Sequence, residues 1–251
     1  MISSIIKPGN KMKNIFFLLF LFSCFQTKAQ SLKDCSNCST QIIKTEQLKN
    51  LSIDEIRFMT NDLFARKGHK FKSADVDNYY SDKVWYKAVS DNNKIVFNEV
   101  EKQNIKLFQD KTTEIKKERE QLITELKNFK SVLLANNKSK LYTNYGYSTI
   151  DKEYNDQYKY LTEALAKINL DDVKWSFDSG MYKVTVDNGD FVMNYEIRIS
   201  LDGFSINYGN QGGSEIGKQL YPNDQITEFS FWWEFEWRNN KIKFLKINMA
   251  G

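Results

Sequence analysis

The stretch Ile226–Trp237, "ITEFSFWWEFEW", leaves this chain little freedom in how it folds. Phe229, Phe231, Trp233, Phe235 and Trp237 stand at alternate positions. In a strand, side chains at i, i+2 and i+4 share one face, so all five rings fall on the same side of a sheet. A helix would scatter them around its circumference. The opposite face carries Glu228, Glu234 and Glu236, with Trp232 as its aromatic exception. "FVMNYEIRIS" repeats the pattern with Phe191, Met193, Tyr195, Ile197 and Ile199 on one face. Turn signals join these runs to their neighbours: Asn188-Gly189 after "MYKVTV", Asp202-Gly203 before "FSINY", and Arg238-Asn239-Asn240 before "KIKFLKIN". Upstream, Tyr154, Tyr158, Leu161, Leu165 and Ile168 form the apolar stripe of a helix expected near Lys152–Ile168. Residues 150–251 are therefore predicted to be a helix packed on an antiparallel β-meander. The glycine-rich run Gly209–Gly217 lacks the lysine of a phosphate-binding loop and reads as a flexible loop between strands.

The first half is helical. In "LSIDEIRFMTNDLFARKGHKF", Ile56, Met59 and Leu63 recur at helical spacing. Ser52 with Glu55 three residues later is a capping-box signature, and Gly68 falls where a left-handed helix stop belongs. Arg66 and Lys67, in the last turn, complement the negative helix end. A short helix is expected near Ser73, and another from Asn98 as N-cap with Glu101 at N3, continuing to about Asn136. Phe108, Ile115, Leu122 and Phe129 recur every seven residues, but Thr112 and Arg119 interrupt the companion seam. A connecting helix, solvated in its middle and docked at both ends, fits better than a coiled coil, with a dimeric helix as the alternative. "LYTNYGYSTI" (Leu141–Ile150) is read as a tyrosine-rich loop. The expected class is α+β: a small helical N-terminal domain at 50–110, a connecting helix and loop at 111–149, then the α+β domain at 150–251.

The chain opens with a targeting signal. Lys11 and Lys13 precede the 11-residue apolar run Ile15–Phe25, followed by "QTKA". This matches a secretory signal peptide spanning 1–29, and the run is too short to cross a bilayer. The alternative is the box "LFSC", which would lipidate Cys24. Residues 1–29 hold four lysines and no acidic residue, so the remainder carries 32 basic against 32 acidic residues. With the surplus positive charge gone, nucleic-acid binding loses its electrostatic basis. Residues 30–49 read as a polar linker carrying Cys35 and Cys38, candidates for a local disulfide in an oxidising compartment; intermolecular bridging or free thiols remain alternatives. No second cysteine pair or histidine cluster accompanies them, so neither a metal nor a cofactor is expected.

The order of motifs in the first half carries a family resemblance. Asn61, Ala65, Arg66, Gly68, Phe71, Trp85, Tyr86, Glu101 and Asn104 stand at positions matching the YARHG domain, and the region resembles it over about residues 50–110. The departures are Phe64 for tyrosine, Lys67 for histidine, Asp62 for glutamate and Thr60 for arginine; His69, one residue past Gly68, does not replace Lys67. The resemblance implies a bacterial extracytoplasmic module, and hence a periplasmic, outer-membrane-associated or extracellular protein. It also implies contact with the cell wall or surface.

The reading that follows is a non-catalytic envelope or surface binding module. Its candidate ligand-binding residues are Arg66, Lys67, His69, Tyr79, Trp85 and Tyr86: cations for acidic groups, rings for sugars. Its partner would be a cell-wall or glycan component or another envelope protein, with no transmembrane span once the signal is removed. A protein-interaction or inhibitor role through Trp232 and the sheet is the alternative. A hydrolase is the third reading. Glu234 and Glu236 share a face roughly 7 Å apart, a separation that glycosidases use. However, Lys241 and Lys243 across the hairpin suggest charge pairing instead. With one histidine and no nucleophile elbow, nucleophilic catalysis has no constellation to use.

Overall fold

The computed structural model describes residues 34–148, 156–200, 202–214 and 228–251. The expected signal peptide, Cys24, Tyr154 and the start of the helix expected from Lys152 lie outside them. Residues 34–251 form one compact unit. Among the described residues it contains five α-helices: α1 (Ile53–Arg66), α2 (Ala74–Ser81), α3 (Glu99–Leu134), α4 (Lys138–Tyr145) and α5 (Gln157–Lys167). Six strands follow: β1 (Lys174–Ser176), β2 (Ser179–Asp187), β3 (Phe191–Ser200), β4 (Gly203–Gly213), β5 (Glu228–Arg238) and β6 (Lys241–Ala250). They pair in sequence order, every neighbour antiparallel. The architecture is the α+β meander that strand alternation and turn signals imply. Among the described residues no helix is long and apolar enough to cross a membrane.

The helix starts are set by short polar signals. Ser52 caps α1 and Asn98 caps α3, each accepting a hydrogen bond from the N3 backbone amide while the N3 glutamate reaches back to the cap. At 36 residues, α3 is about 54 Å long at 1.5 Å per residue. Its side chains are buried at Phe108 and again at Leu122, with none buried between, so the helix docks at both ends and is solvated in the middle. The C-terminal end joins the main core. Leu122, Leu126, Phe129 and Leu133 pack with Leu141 and Tyr145 of α4, Leu161 and Leu165 of α5, and the inner face of the sheet. Phe129 is fully buried at the centre, its ring 5.0 Å from those of Tyr145 and Phe235.

Four expectations need correction. Residues 34–49 are no linker: Cys35, Cys38, Ile43 and Leu48 are buried, for reasons given below. The first part of the tyrosine-rich stretch is helical. The Asn137 side chain caps α4 at Lys140, Leu141 and Tyr145 bury one turn apart, and Gly146 (φ 67°) stops it. Gly209–Gly213 of the glycine-rich run extend β4 rather than forming a loop. Phe191 is 43% exposed although it shares an alternation with the core residues of β3, because a register shift between Phe191 and Met193 separates it from them.

The helical part and the sheet meet at the β1–β2 turn. Arg119 of α3 lies over the Trp175 ring at 4.3 Å and donates to the Phe177 carbonyl at 2.6 Å. The Phe177 amide donates to Asp54 at the start of α1. The residue that spoils a coiled-coil seam in the sequence is thus a tie between helix and sheet.

Candidate functional site

The stop of α1 organises the polar site of the helical part. Gly68 (φ 80°) donates to the Ala65 carbonyl, and His69 donates to that of Phe64. A Cβ at Gly68 would lie 2.5 Å from the Lys87 carbonyl oxygen, so glycine is needed for both the turn and the close approach of residues 87–89. One turn earlier, Asp62 is buried and its Oδ2 accepts from the Cys35 amide at 2.7 Å and from Arg66 Nε at 2.9 Å. Lys67 Nζ stands 3.1 Å from Glu101 Oε2. Glu101 is fully buried at the start of α3 and also accepts from the Ser39 hydroxyl and the Asn98 amide. Burial alone would raise the Glu101 carboxyl; the Ser39 and Asn98 hydrogen bonds and the Lys67 ammonium outweigh it and hold it below the usual carboxylate range.

Asn104, one turn further along α3, is fully buried and serves three backbone groups. Its Oδ1 accepts from the Ile43 amide at 2.8 Å, and its Nδ2 donates to the Cys38 and Gln41 carbonyls, each at 2.9 Å. Together with the Cys35–Cys38 disulfide, these bonds fold residues 35–43 onto α1 and α3. Backbone without secondary structure can be buried only where such partners exist.

The aromatic candidates surround Tyr80, which is 1% exposed. Rings of Phe58, Phe71, Tyr79, Trp85 and Tyr86 lie 5.0–6.5 Å from it. Tyr86 donates to the His69 carbonyl at 2.8 Å, and His69 sits edge-on between Phe64 and Phe71. Trp85 and Tyr79 remain 41% and 43% exposed. Each carries a cation on its ring: Arg66 at 4.4 Å over Trp85 and Lys83 at 4.2 Å over Tyr79. Between them in sequence, Val84 is 99% exposed.

Residues 33–112 match the family model of the YARHG domain. YARHG is an extracytoplasmic domain of unknown function, which supports an exported protein. No curated protein matches the chain, and no solved structure does. The matched region begins before the cysteine pair, as the packing of residues 35–48 requires. Within the YARHG region, Asp62, Arg66, Lys67, Glu101 and Asn104 are joined to one another or to residues 35–43. They form a structural clasp. The sequence flagged most of them but not Ser39 or the backbone of residues 38–43, whose partners lie about 60 positions away. The open chemistry of the YARHG region is at Tyr79, Val84 and Trp85.

The remaining candidates lie in the sheet. Trp232 is half-buried on the outer face of β5, opposite Asn207 of β4 and Asn248 of β6. An irregularity between Glu234 and Phe235 shifts the register by one, so Glu236 faces Lys243 and Glu234 faces Lys246, while Lys241 stands opposite Arg238. Glu234 accepts from Asn248 and pairs with Lys246 at 3.4 Å. Among the described residues, no group of three metal-ligating side chains is assembled.

Proposed function

We propose that this chain is an exported, non-catalytic binding protein of the bacterial envelope or surface, and that its YARHG region contacts a cell-wall or glycan component. The observation that carries this reading is the exposed pair Tyr79 and Trp85 beside a fully exposed Val84, each ring backed by a cation. A fully exposed valine and two partly exposed rings offer apolar surface that suits the C–H faces of sugars. Arg66 holds the Trp85 ring while its Nε stays on Asp62, so binding would not require the clasp to open.

The test is retention on purified peptidoglycan by the chain lacking residues 1–29. Val84→Asp changes the exposed surface and leaves the clasp intact, whereas Trp85→Ala also removes a ring packed on Tyr80 and beneath Arg66, at some cost in stability. Retention of the wild type, lost in both variants while Val84→Asp keeps its melting temperature, is the expected result. Equal retention of all three proteins would refute this surface as the contact. Arg66→Ala is a poor probe, because it strips the partner from the buried Asp62.

A further inference from the structure

A second site lies outside the YARHG region, in a cleft of about 530 Å³ between α5 and the sheet. The apolar stripe of α5 faces the core, and its flank brings Tyr160, Glu163 and Lys167 to the ends of β3 and β4. The cleft wall is built from tyrosines. Tyr195 donates its hydroxyl to Glu163, and the Glu163 charge also acts on Tyr160 and Tyr208. Burial pushes all three phenols up, with Asp156 and then Glu163 adding to it at Tyr160 and Glu163 at Tyr195 and Tyr208, so they stay protonated donors.

Two polar groups on the wall of this cleft have no hydrogen-bond partner among the described residues. Tyr208 is 5% exposed, and among the described residues its hydroxyl makes no hydrogen bond. Asn210 is 7% exposed; its Oδ1 accepts from the Gly212 amide, which leaves its Nδ2 unused among the described residues. Here both line a cavity whose volume lies within the range of small-ligand sites. At the rim, Lys159 and Lys167 have no carboxylate in ion-pair range among the described residues, although Glu163 lies one turn from each on the same helix.

We propose that this cleft binds an acidic saccharide, a sugar ring bearing a carboxylate. The rings of Phe191 and Phe229 offer apolar walls to the C–H face of a pyranose. The Tyr208 hydroxyl, the Asn210 amide and the second oxygen of Glu163 meet sugar hydroxyls. The Lys159 and Lys167 ammonium groups meet the carboxylate. A quaternary ammonium ion, the usual guest of an aromatic cage, fits poorly. Two lysines stand at the cleft's rim, and Tyr160 lies tilted against Tyr208 with centroids 4.5 Å apart, so these rings already cover each other. This site involves none of the residues of the exposed Trp85 surface and stands or falls separately from it.

The test uses two matched sugar pairs and calorimetric titration of the whole chain: N-acetylmuramic acid against N-acetylglucosamine, and glucuronic acid against glucose. At least one acid is expected to bind about tenfold more tightly than its neutral counterpart. Tyr208→Phe removes only an unpartnered hydroxyl, so it should weaken that acid about tenfold and leave the melting temperature unchanged. Lys159→Ala with Lys167→Ala should abolish the preference for the acid. The proposal is overturned if neither acid binds, if each pair binds equally in the wild type, or if Tyr208→Phe melts lower at unaltered affinity. The last result would make the hydroxyl structural.

Discussion

Replacing Asn104 by alanine is the sharpest test of the clasp. The substitution removes three hydrogen bonds and leaves the Ile43 amide and the Cys38 and Gln41 carbonyls without their partner. Gln41 is exposed, so water can take its carbonyl, whereas Ile43 and Cys38 are 5% and 1% exposed and cannot be rehydrated without opening the turn. Two stranded buried groups at about 1–3 kcal/mol each give a loss of about 4 kcal/mol. With a urea slope of about 2 kcal/mol per molar, the midpoint should fall by about 2 M. Far-UV circular dichroism follows the helices, while tryptophan fluorescence mostly follows the sheet, which with its flanking turns holds Trp175, Trp232, Trp233 and Trp237. If the helical part opens first, the circular dichroism transition should move and the fluorescence transition lag behind it. Asn104→Asp separates the contributions, because it keeps an acceptor for Ile43 but presents oxygen to two carbonyls; it should cost nearly as much. A midpoint shift below about 0.5 M for Asn104→Ala would refute the view that these bonds hold residues 35–43 in place.

Other parts of the clasp make separate predictions. Glu101 titrates below its unfolded value, so its contribution is complete above that value and is lost as pH falls through the depressed folded one. Glu101→Gln should therefore flatten the acid limb of stability measured by urea midpoints between pH 6 and pH 3, and an unchanged limb would count against the Ser39, Asn98 and Lys67 contacts holding the carboxyl down. Replacing Cys35 and Cys38 by serine opens a very short loop and should cost about 2 kcal/mol in chemical denaturation. Gly68→Ala combines a left-handed backbone with a clash against the Lys87 carbonyl and should lose about 2–4 kcal/mol, read as a lower melting temperature.

Much of the fold was legible because local signals and periodicity act over short stretches. The alternation in β3 and β5, the turn signals and the capping boxes at Ser52 and Asn98 each state an element within ten residues or so, and each element formed. The stop at Gly68 was also readable from the sequence. What it fastens was not. Lys67 and Arg66 look alike as last-turn cations, but only chain path decides that one meets Glu101 and the other Asp62 and Trp85. A polar stretch such as 35–43 reads the same whether water or Asn104 serves its backbone, so it passed for a linker. The α5 cleft was hidden for a related reason. Tyr195 and Tyr208 belong to inward-facing alternations and look like ordinary core, and only the placement of Glu163 beside them, with no hydrogen-bond partner for the Tyr208 hydroxyl among the described residues, distinguishes a lined cavity from packed interior. The sequence by itself determined the elements, their order and the apolar side of each, because those follow from local backbone geometry and side-chain period. The tertiary structure alone decided which polar groups were consumed in holding the chain together and which were left facing open space, because hydrogen bonding over 60 residues depends on where the chain returns.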